Sequence, residues 1–243
     1  MKQVIYEVTG NRQLVPGIFE LRLTGDTSAV LRPGQFVNLK IGGCYLRRPL
    51  SVCDRRDDGL TLIYKVVGRG TEILSEMKAG AVIDTLSGLG NGFDVSASGE
   101  WPLLVGGGVG VPPMYWLCRE LIDCGRQVTV VLGFNCAPEV FYREKFEALG
   151  ARVIVTTADG SAGVRGFVTD AVRMLDYTYF YACGPEPMFR ALDAVVKTEG
   201  EYSFEARMGC GFGACMGCSC KTKYGYKRIC RDGPVMRREE VIW

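Results

Sequence analysis

The sequence LLVGGGVGVPPMYWLCRELIDC, from Leu103 to Cys124, decides the fold class of the middle of the chain. Its apolar start is typical of a buried strand, its glycine-rich centre predicts a turn, and its end has the spacing of an amphipathic helix. In a parallel α/β unit, a loop at this place holds a dinucleotide diphosphate at the helix N-terminus. The spacing differs from G-x-G-x-x-G, so the prediction depends on the flanking elements. The residues predicted to bind are Gly106, Gly107, Gly108 and Gly110.

Strand and helix patterns continue to alternate after this stretch. The alternation predicts a doubly wound parallel sheet with helices on both faces, over residues 100–200. After the second strand of this unit, the run from Gly133 to Glu139 contains no arginine or lysine that could pair with a 2′-phosphate. We therefore predict NAD(H) rather than NADP(H) as the dinucleotide.

A second ligand-facing turn is predicted at Cys183-Gly184-Pro185, where a later strand leads into a helix. Gly184 allows close approach of a ligand, and Pro187 suits the first helical turn. The alternative is an ordinary buried cysteine at a strand-to-helix corner.

Residues 1–99 show short β-rich runs separated by glycine and proline, which predict a small antiparallel β-barrel. Three places in it could contact a phosphate-bearing cofactor, and they are Arg47–Ser51, Gly68–Thr71 and Gly88–Phe93. Taken singly, each is also explained by a solvated strand end or an ordinary turn, with Thr71 as a helix N-cap. The three together fit one extended cofactor better than three independent turns.

The stretch CGFGACMGCSCKTKYGYKRIC, from Cys210 to Cys230, carries the metal chemistry. Cys210, Cys215 and Cys218 have the spacing C-x4-C-x2-C, and eleven residues separate Cys218 from Cys230, as in a plant-type [2Fe–2S] centre. A structural zinc site and a reduced cysteine-rich loop are the alternatives, although zinc usually takes two C-x2-C-like pairs. Cys220 could replace Cys218 as the third ligand.

The composition indicates the compartment of the protein and excludes some classes of function. Eleven cysteines, an odd number, and a start unlike a signal peptide predict a reducing, cytoplasmic compartment. The chain has no histidine, so catalysis must depend on a cofactor. A net charge of +2 gives no reason to expect nucleic-acid binding, and no stretch predicts a membrane span. A late group of basic residues predicts either a solvated face or a docking patch, and its members are Lys221, Lys223, Lys227, Arg228, Arg231, Arg237 and Arg238.

The motifs RRPLS, GRGT, GLGNGF and ACGPEP resemble those of the ferredoxin–NADP reductase superfamily, whose barrel domain holds FAD. The resemblance implies a catalytic, nicotinamide-facing role for Cys183 in the turn that continues through Gly184 and Pro185. It also implies flavin contacts for Arg48, Pro49, Leu50, Ser51, Tyr64, Lys65, Val66, Gly70, Thr71, Gly90 and Asn91. Members of the superfamily usually have an aromatic residue where this chain has Leu50.

Three predicted domains follow one another, at 1–99, 100–200 and 201–243. Their order, and the segment that closes with Cys-x-Asp-Gly-Pro at 230–234, resemble the electron-transfer subunits of type B, NAD-linked dihydroorotate dehydrogenases. The resemblance implies FAD, a [2Fe–2S] cluster and NAD(H), and an FMN-containing partner subunit that oxidises dihydroorotate in pyrimidine biosynthesis, in a heterotetramer with two copies of each chain. The small subunits of NADH-dependent ferredoxin:NADP oxidoreductases and sulfide dehydrogenases are an alternative with a similar layout. A zinc-stapled binding module is an alternative of another class.

Overall fold

A computed structural model describes residues 1–243, and its first part is a closed antiparallel barrel. The barrel strands are β1 (Lys2–Val15), β2 (Ile18–Thr24), β3 (Phe36–Leu39), β4 (Arg48–Arg56), β5 (Gly59–Lys65) and β6 (Val82–Leu89). They pair in the order β1-β2-β5-β4-β3-β6, and the last strand returns to the first. Closure leaves no free sheet edge, and the inward side chains of alternate positions form an apolar core. The predicted barrel is confirmed.

One short helix, α1 (Arg69–Glu76), follows the fifth strand of the barrel. Its N-cap is Gly68, so Thr71 lies inside the first turn rather than at the cap. The alternative role of Thr71 as N-cap is therefore wrong. Its hydroxyl donates to the Gly68 carbonyl at 2.8 Å and accepts from the Val67 amide at 2.9 Å, which holds the turn closed.

The middle of the chain is a sheet with helices on both faces. Its strands are β7 (Pro102–Gly107), β8 (Thr129–Phe134), β9 (Arg152–Thr157), β10 (Val164–Arg165), β11 (Tyr179–Cys183) and β12 (Gly200–Ser203), all parallel. Its helices are α2 (Val111–Asp123), α3 (Arg143–Ala148), α4 (Val168–Val172) and α5 (Glu186–Asp193). The strand order β10-β9-β8-β7-β11-β12 reverses direction beside β7, which is where open α/β sheets bind ligands. The doubly wound sheet is confirmed.

The last part of the chain is tied to both preceding parts. A hairpin forms from β13 (Ser219–Thr222) and β14 (Gly225–Arg228), and β15 (Val235–Arg237) pairs antiparallel with β12 as the seventh strand of the sheet. The alternating residues from Tyr202 to Arg207 have the pattern of one continuous strand, but β12 ends at Ser203. The chain leaves the sheet there because it must turn toward the cysteines.

Two polar contacts join the barrel to the sheet. Arg119 of α2 forms an ion pair with Asp54 of β4 and also donates to the Arg55 carbonyl at 3.1 Å. Tyr142 donates its hydroxyl proton to Glu20 of β2 at 2.9 Å. The flavin-motif strand β4 and the nucleotide-binding helix α2 are thus held in one relative position.

None of the helices combines the length and the apolar character that crossing a bilayer requires.

Candidate redox site

Four cysteines form two pairs around the hairpin. In the first pair, the Cys215 amide donates to Cys210 Sγ and the Cys210 amide donates to Cys215 Sγ, both at 3.4 Å. In the second pair, the Cys230 amide donates to Cys218 Sγ at 3.4 Å. Two pairs of thiols are the donor set that the two irons of a [2Fe–2S] cluster require. The donor set fits a [2Fe–2S] cluster.

The thiols also have the electrostatics of a metal site. Burial raises the pKa of Cys210, but the amides of Cys215, Phe212 and Ala214 stabilise the thiolate more strongly, and the net pKa falls to about 6. Burial and the neighbouring Cys218 thiol raise the pKa of Cys230 to about 12. Two adjacent thiolates in the second pair therefore need a cation between them, which an iron would supply.

The third ligand has two candidates, and the structure separates their positions. Cys218 is buried and receives the Cys230 amide at its sulfur, whereas Cys220 is half-buried on β13 and lies opposite Lys227. Burial raises the pKa of the Cys220 thiol. These contacts favour Cys218 as the ligand.

The flavin motif occupies the start of β4, beside the first turn of α1. Arg48 lies against Gly70 so closely that a Cβ on Gly70 would overlap the guanidinium. The first amides of a helix have no acceptors within it, so an arginine next to them creates a phosphate site. Arg47 is committed elsewhere, because it forms a two-pronged ion pair with Asp84 at 3.0 Å. The cradle fits the diphosphate of FAD, with Arg48 as the cation.

The other residues of the flavin motif lie nearby with different exposures. Pro49, Leu50 and Ser51 are half-buried along β4. Tyr64 turns into the barrel core, where its hydroxyl donates to Asn11 at 3.1 Å, so only its backbone can line a ring. Val66 is bonded to Gly17 through its amide.

A cavity of about 610 Å³ opens at the carboxyl ends of the parallel strands, between the sheet and the barrel. The predicted residues Gly107, Gly108, Gly110, Gly184 and Pro185 line it, and Gly106 lies just behind, packed on Val111. A Cβ on Gly110 would overlap the Cys183 carbonyl, so only glycine lets the loop and this turn meet. The cavity fits a dinucleotide, and the barrel contributes Lys65 as its one cation.

Cys183 does not line this cavity. It is buried beside Ser203, and burial raises the pKa of its thiol far above the ordinary range. Glu205 lines the cavity instead. Its side chain is open to the cavity, yet the protein atoms around it remove much of its hydration and raise the pKa of the carboxyl. In the sequence, Glu205 stands five residues before Cys210, and no motif identifies it as a cavity residue.

Gly90 and Asn91 lie at the joint between barrel and cysteines. The Asn91 side chain accepts from the Val235 amide at 3.1 Å and donates to the Val235 carbonyl at 2.8 Å, and Gly90 packs on Pro234. These bonds connect the barrel to the cysteine-containing segment. The predicted cofactor contacts of Gly90 and Asn91 remain a prediction.

Asn38 of β3 forms a second joint, which the sequence analysis missed. Its Nδ2 donates to the carbonyl of Cys210 at 3.3 Å. The sequence feature that could have indicated Asn38 is its position as the one polar residue in the apolar run FVNL.

Comparison with known proteins decides the family. The dihydroorotate dehydrogenase B (NAD(+)) electron transfer subunit of a Geobacillus species is 43% identical over 256 residues, which cover 100% of this chain and 99% of the relative. The subunit of the same name from Bacillus caldolyticus is 44% identical, over 97% and 96% of the two chains. This chain belongs to the dihydroorotate dehydrogenase B electron transfer subunits.

Two family models match parts of this electron transfer subunit. The iron–sulfur cluster binding domain of dihydroorotate dehydrogenase B matches residues 205–242, and the oxidoreductase NAD-binding domain matches residues 104–194. The predicted iron–sulfur and NAD chemistry is thereby confirmed, and the zinc-stapled module is not supported.

Two solved structures of reductases are similar to this chain in fold. An NADH-dependent reduced ferredoxin–NADP oxidoreductase, described in a study of flavin-based electron bifurcation, superposes with a TM-score of 0.88 and 31% identity, covering 98% of this chain and 90% of that chain. A ferredoxin–NADP⁺ reductase from Neisseria gonorrhoeae shares the fold of two domains, with a TM-score of 0.69 and 17% identity, over 80% and 90% of the chains. The predicted oxidoreductase class and the reductase-like fold are confirmed.

Proposed function

We propose that this chain relays electrons between NAD and a catalytic subunit that oxidises dihydroorotate, by way of FAD in the barrel and a [2Fe–2S] cluster at the cysteines. One observation carries the proposal: the segment with the cysteines is bonded to the barrel side of the molecule, at Cys210 through Asn38 and at Val235 through Asn91, and the same barrel borders the dinucleotide cavity. Three adjoining sites in one rigid arrangement form a relay.

The chemistry requires all three groups. NADH gives up a hydride, which carries two electrons, an iron–sulfur cluster takes one electron at a time, and a flavin exchanges either number. The protein supplies positions for the groups and keeps them in order.

We assign the sites as follows. Arg48 with the amides around Gly70 and Thr71 holds the FAD diphosphate, while Pro49 to Ser51 and Tyr64 to Val66 border the ring. The dinucleotide lies over Gly106–Gly110 and against Gly184 and Pro185, with Cys183 behind the nicotinamide. The functional units are 1–99, 100–200 and 201–243. The proposed cluster ligands are Cys210, Cys215, Cys218 and Cys230.

A docking surface for the partner surrounds the cysteines. Its apolar members are exposed by 44% to 74%, and they are Phe212, Met216, Tyr224 and Tyr226. Four of the seven late basic residues have carboxylate partners within the chain, which leaves Lys221, Lys223 and Arg231 unpaired. Aromatic anchors among free cations suit a flavoprotein subunit with an acidic rim. Two copies of each chain form the proposed assembly.

The test compares the isolated chain with its complex. The isolated holoprotein should show flavin and [2Fe–2S] absorption and oxidise NADH with an artificial acceptor, yet leave dihydroorotate unchanged. Adding the FMN-containing catalytic subunit should couple dihydroorotate oxidation to NAD⁺ reduction. Turnover of dihydroorotate by the isolated chain, or a complex that transfers no electrons to NAD⁺, would contradict the proposal.

A further inference from the structure

The strand β3 lies between the flavin motif and the cysteines. Its neighbour on one side is β4, with Phe36 opposite Ser51 and Asn38 opposite Pro49. Side chains alternate along a strand, so Phe36 and Asn38 share one face while Val37 and Leu39 share the other. Val37 and Leu39 belong to the barrel core. Phe36 and Asn38 therefore point out of the barrel.

That outward face is directed toward the cysteine segment. Phe36 belongs to the apolar cluster that contains Cys218 and Cys230. Asn38 reaches the other pair, because its Nδ2 donates to the carbonyl of Cys210. A strand of four residues thus bonds to the backbone of Cys210 and shares an apolar cluster with Cys218 and Cys230, from the side of the flavin motif.

The contact at Asn38 is tight and well supported. Asn38 is only 1% exposed, and a Cβ on Gly211 would overlap its Nδ2. Gly211 has a φ of 78°, a conformation that glycine adopts without strain. The Asn38 carbonyl accepts from Arg47 at 3.3 Å, and Arg47 is fixed by Asp84. The side chain therefore has one position, set by the barrel.

The same side chain is poorly explained by stability. Its Oδ1 is buried and has no hydrogen-bond partner. A buried acceptor without a partner is unfavourable, and it offsets much of what the single bond to Cys210 contributes. The stability of the joint alone therefore gives little reason for an amide at this position.

We propose that Asn38 is a positioning residue for electron transfer, which fixes the ligand Cys210 relative to the flavin-binding strand β4. The inference rests on the proposed relay. Residues that orient metal ligands from behind commonly change activity by about 10- to 100-fold when they are replaced.

The experiment uses the holoprotein with two substitutions at this position. Asn38→Leu removes the donor at similar volume, and Asn38→Asp keeps the shape but replaces the donor with a carboxylate oxygen. Thr85→Val is the matched control, because Thr85 is a buried polar residue opposite Leu39 on the next strand and bonds only within its own strand. Anaerobic mixing with NADH resolves the flavin absorbance change from the cluster absorbance change.

In both Asn38 variants, the flavin phase should stay within about twofold of the wild type, while the cluster phase slows about tenfold or more. The cluster midpoint potential and its paramagnetic resonance spectrum should shift, with the Asp variant lower in potential because of its added negative charge. Loss of iron from both variants with unchanged flavin content would be a stronger form of the same result.

An unchanged cluster phase and potential in Asn38→Leu would overturn the inference, as would equal slowing of the flavin phase. If the wild type itself reduces its flavin but never its cluster, the relay fails first, and the inference fails with it.

Discussion

Tyr142 joins the barrel to the sheet, and its replacement by phenylalanine measures how much this contact stabilises the protein. The residue is buried with a left-handed φ of 67°, and its hydroxyl donates to Glu20, which is 1% exposed. Glu20 also accepts from Arg12 at 3.0 Å and from Arg22 at 2.9 Å. Burial works against the charged carboxylate, but the bonds from Arg12 and Tyr142 outweigh it and lower the pKa of Glu20. Tyr142→Phe removes one of these donors, together with the interaction of the same hydroxyl with the buried Cys53 thiol.

The expected loss follows from the type of bond. A hydrogen bond to a buried charged group contributes about 1.5–3 kcal/mol, so Tyr142→Phe should lower the free energy of unfolding by about 2 kcal/mol. For a chain of this size the corresponding fall in melting temperature is about 4–8 °C. Because Glu20 has a lowered pKa, it is ionised at all pH values above its usual 4.5, and the loss should be constant from pH 6 to pH 9. It should shrink only where acid protonates Glu20.

Thermal unfolding of the holoprotein, followed by release of flavin fluorescence, measures this difference. Tyr115→Phe is the matched control, since Tyr115 packs edge-on against Tyr142 at 5.2 Å but its hydroxyl has no protein partner. The control should melt within about 1 °C of the wild type, as expected for a hydroxyl without a partner. Equal melting temperatures for the two variants, or a loss that varies between pH 6 and pH 9, would refute the reasoning.

Three further predictions concern the cysteines, the FAD cradle and the buried carboxyl of Glu201 on β12. Serine at Cys210, Cys215, Cys218 or Cys230 should remove or shift the visible spectrum of the cluster, whereas Cys220→Ser should keep it; the reverse result at 218 and 220 would exchange their roles. Gly70→Ala should weaken FAD binding about tenfold or more by displacing Arg48, and Gly42→Ala, where a Cβ has open space, should leave the dissociation constant unchanged. Burial raises the pKa of Glu201 from 4.5 to about 7, so the folded protein holds this proton more tightly than the unfolded chain and loses stability as the pH rises through that range. Glu201→Gln should remove about 2.5 kcal/mol of that fall between pH 5 and pH 8, seen as a flatter curve of melting temperature against pH.

The fold was predictable because its signals are local. Alternating short runs before residue 100 indicated the barrel, and the strand, glycine loop and helix from Leu103 to Cys124 indicated the parallel sheet. The spacing of Cys210, Cys215 and Cys218 similarly requires no tertiary information, since one loop carries all three.

What could not be predicted depends on contacts between distant parts of the chain. Asn91 lies in a glycine-rich turn that suits a cofactor, but its amide bonds to Val235, which is 144 residues away. Asn38 meets Cys210 across 172 residues. The edge position of β15 and the burial of Cys183 behind Gly110 likewise follow from packing, which no local pattern contains.

The pairing of β15 with β12 limits how the cysteine-containing unit at residues 201–243 can move and how it can be transferred to another protein. The cysteines lie between Ser203, at the end of one strand of the nucleotide sheet, and Val235, at the start of its neighbour, so the unit is an insertion between two paired strands rather than a tail on a linker. Because it is anchored at both ends, it cannot swing toward distant acceptors. It can exchange electrons only with groups that come close to its own surface. A partner subunit that exchanges electrons with the cysteines must therefore dock directly on this surface. Deleting the cysteine segment together with β15 would expose the edge of β12, whose free amides and carbonyls could pair with another chain. Transplanting the unit into another reductase thus requires both strands, and not the cysteine segment alone.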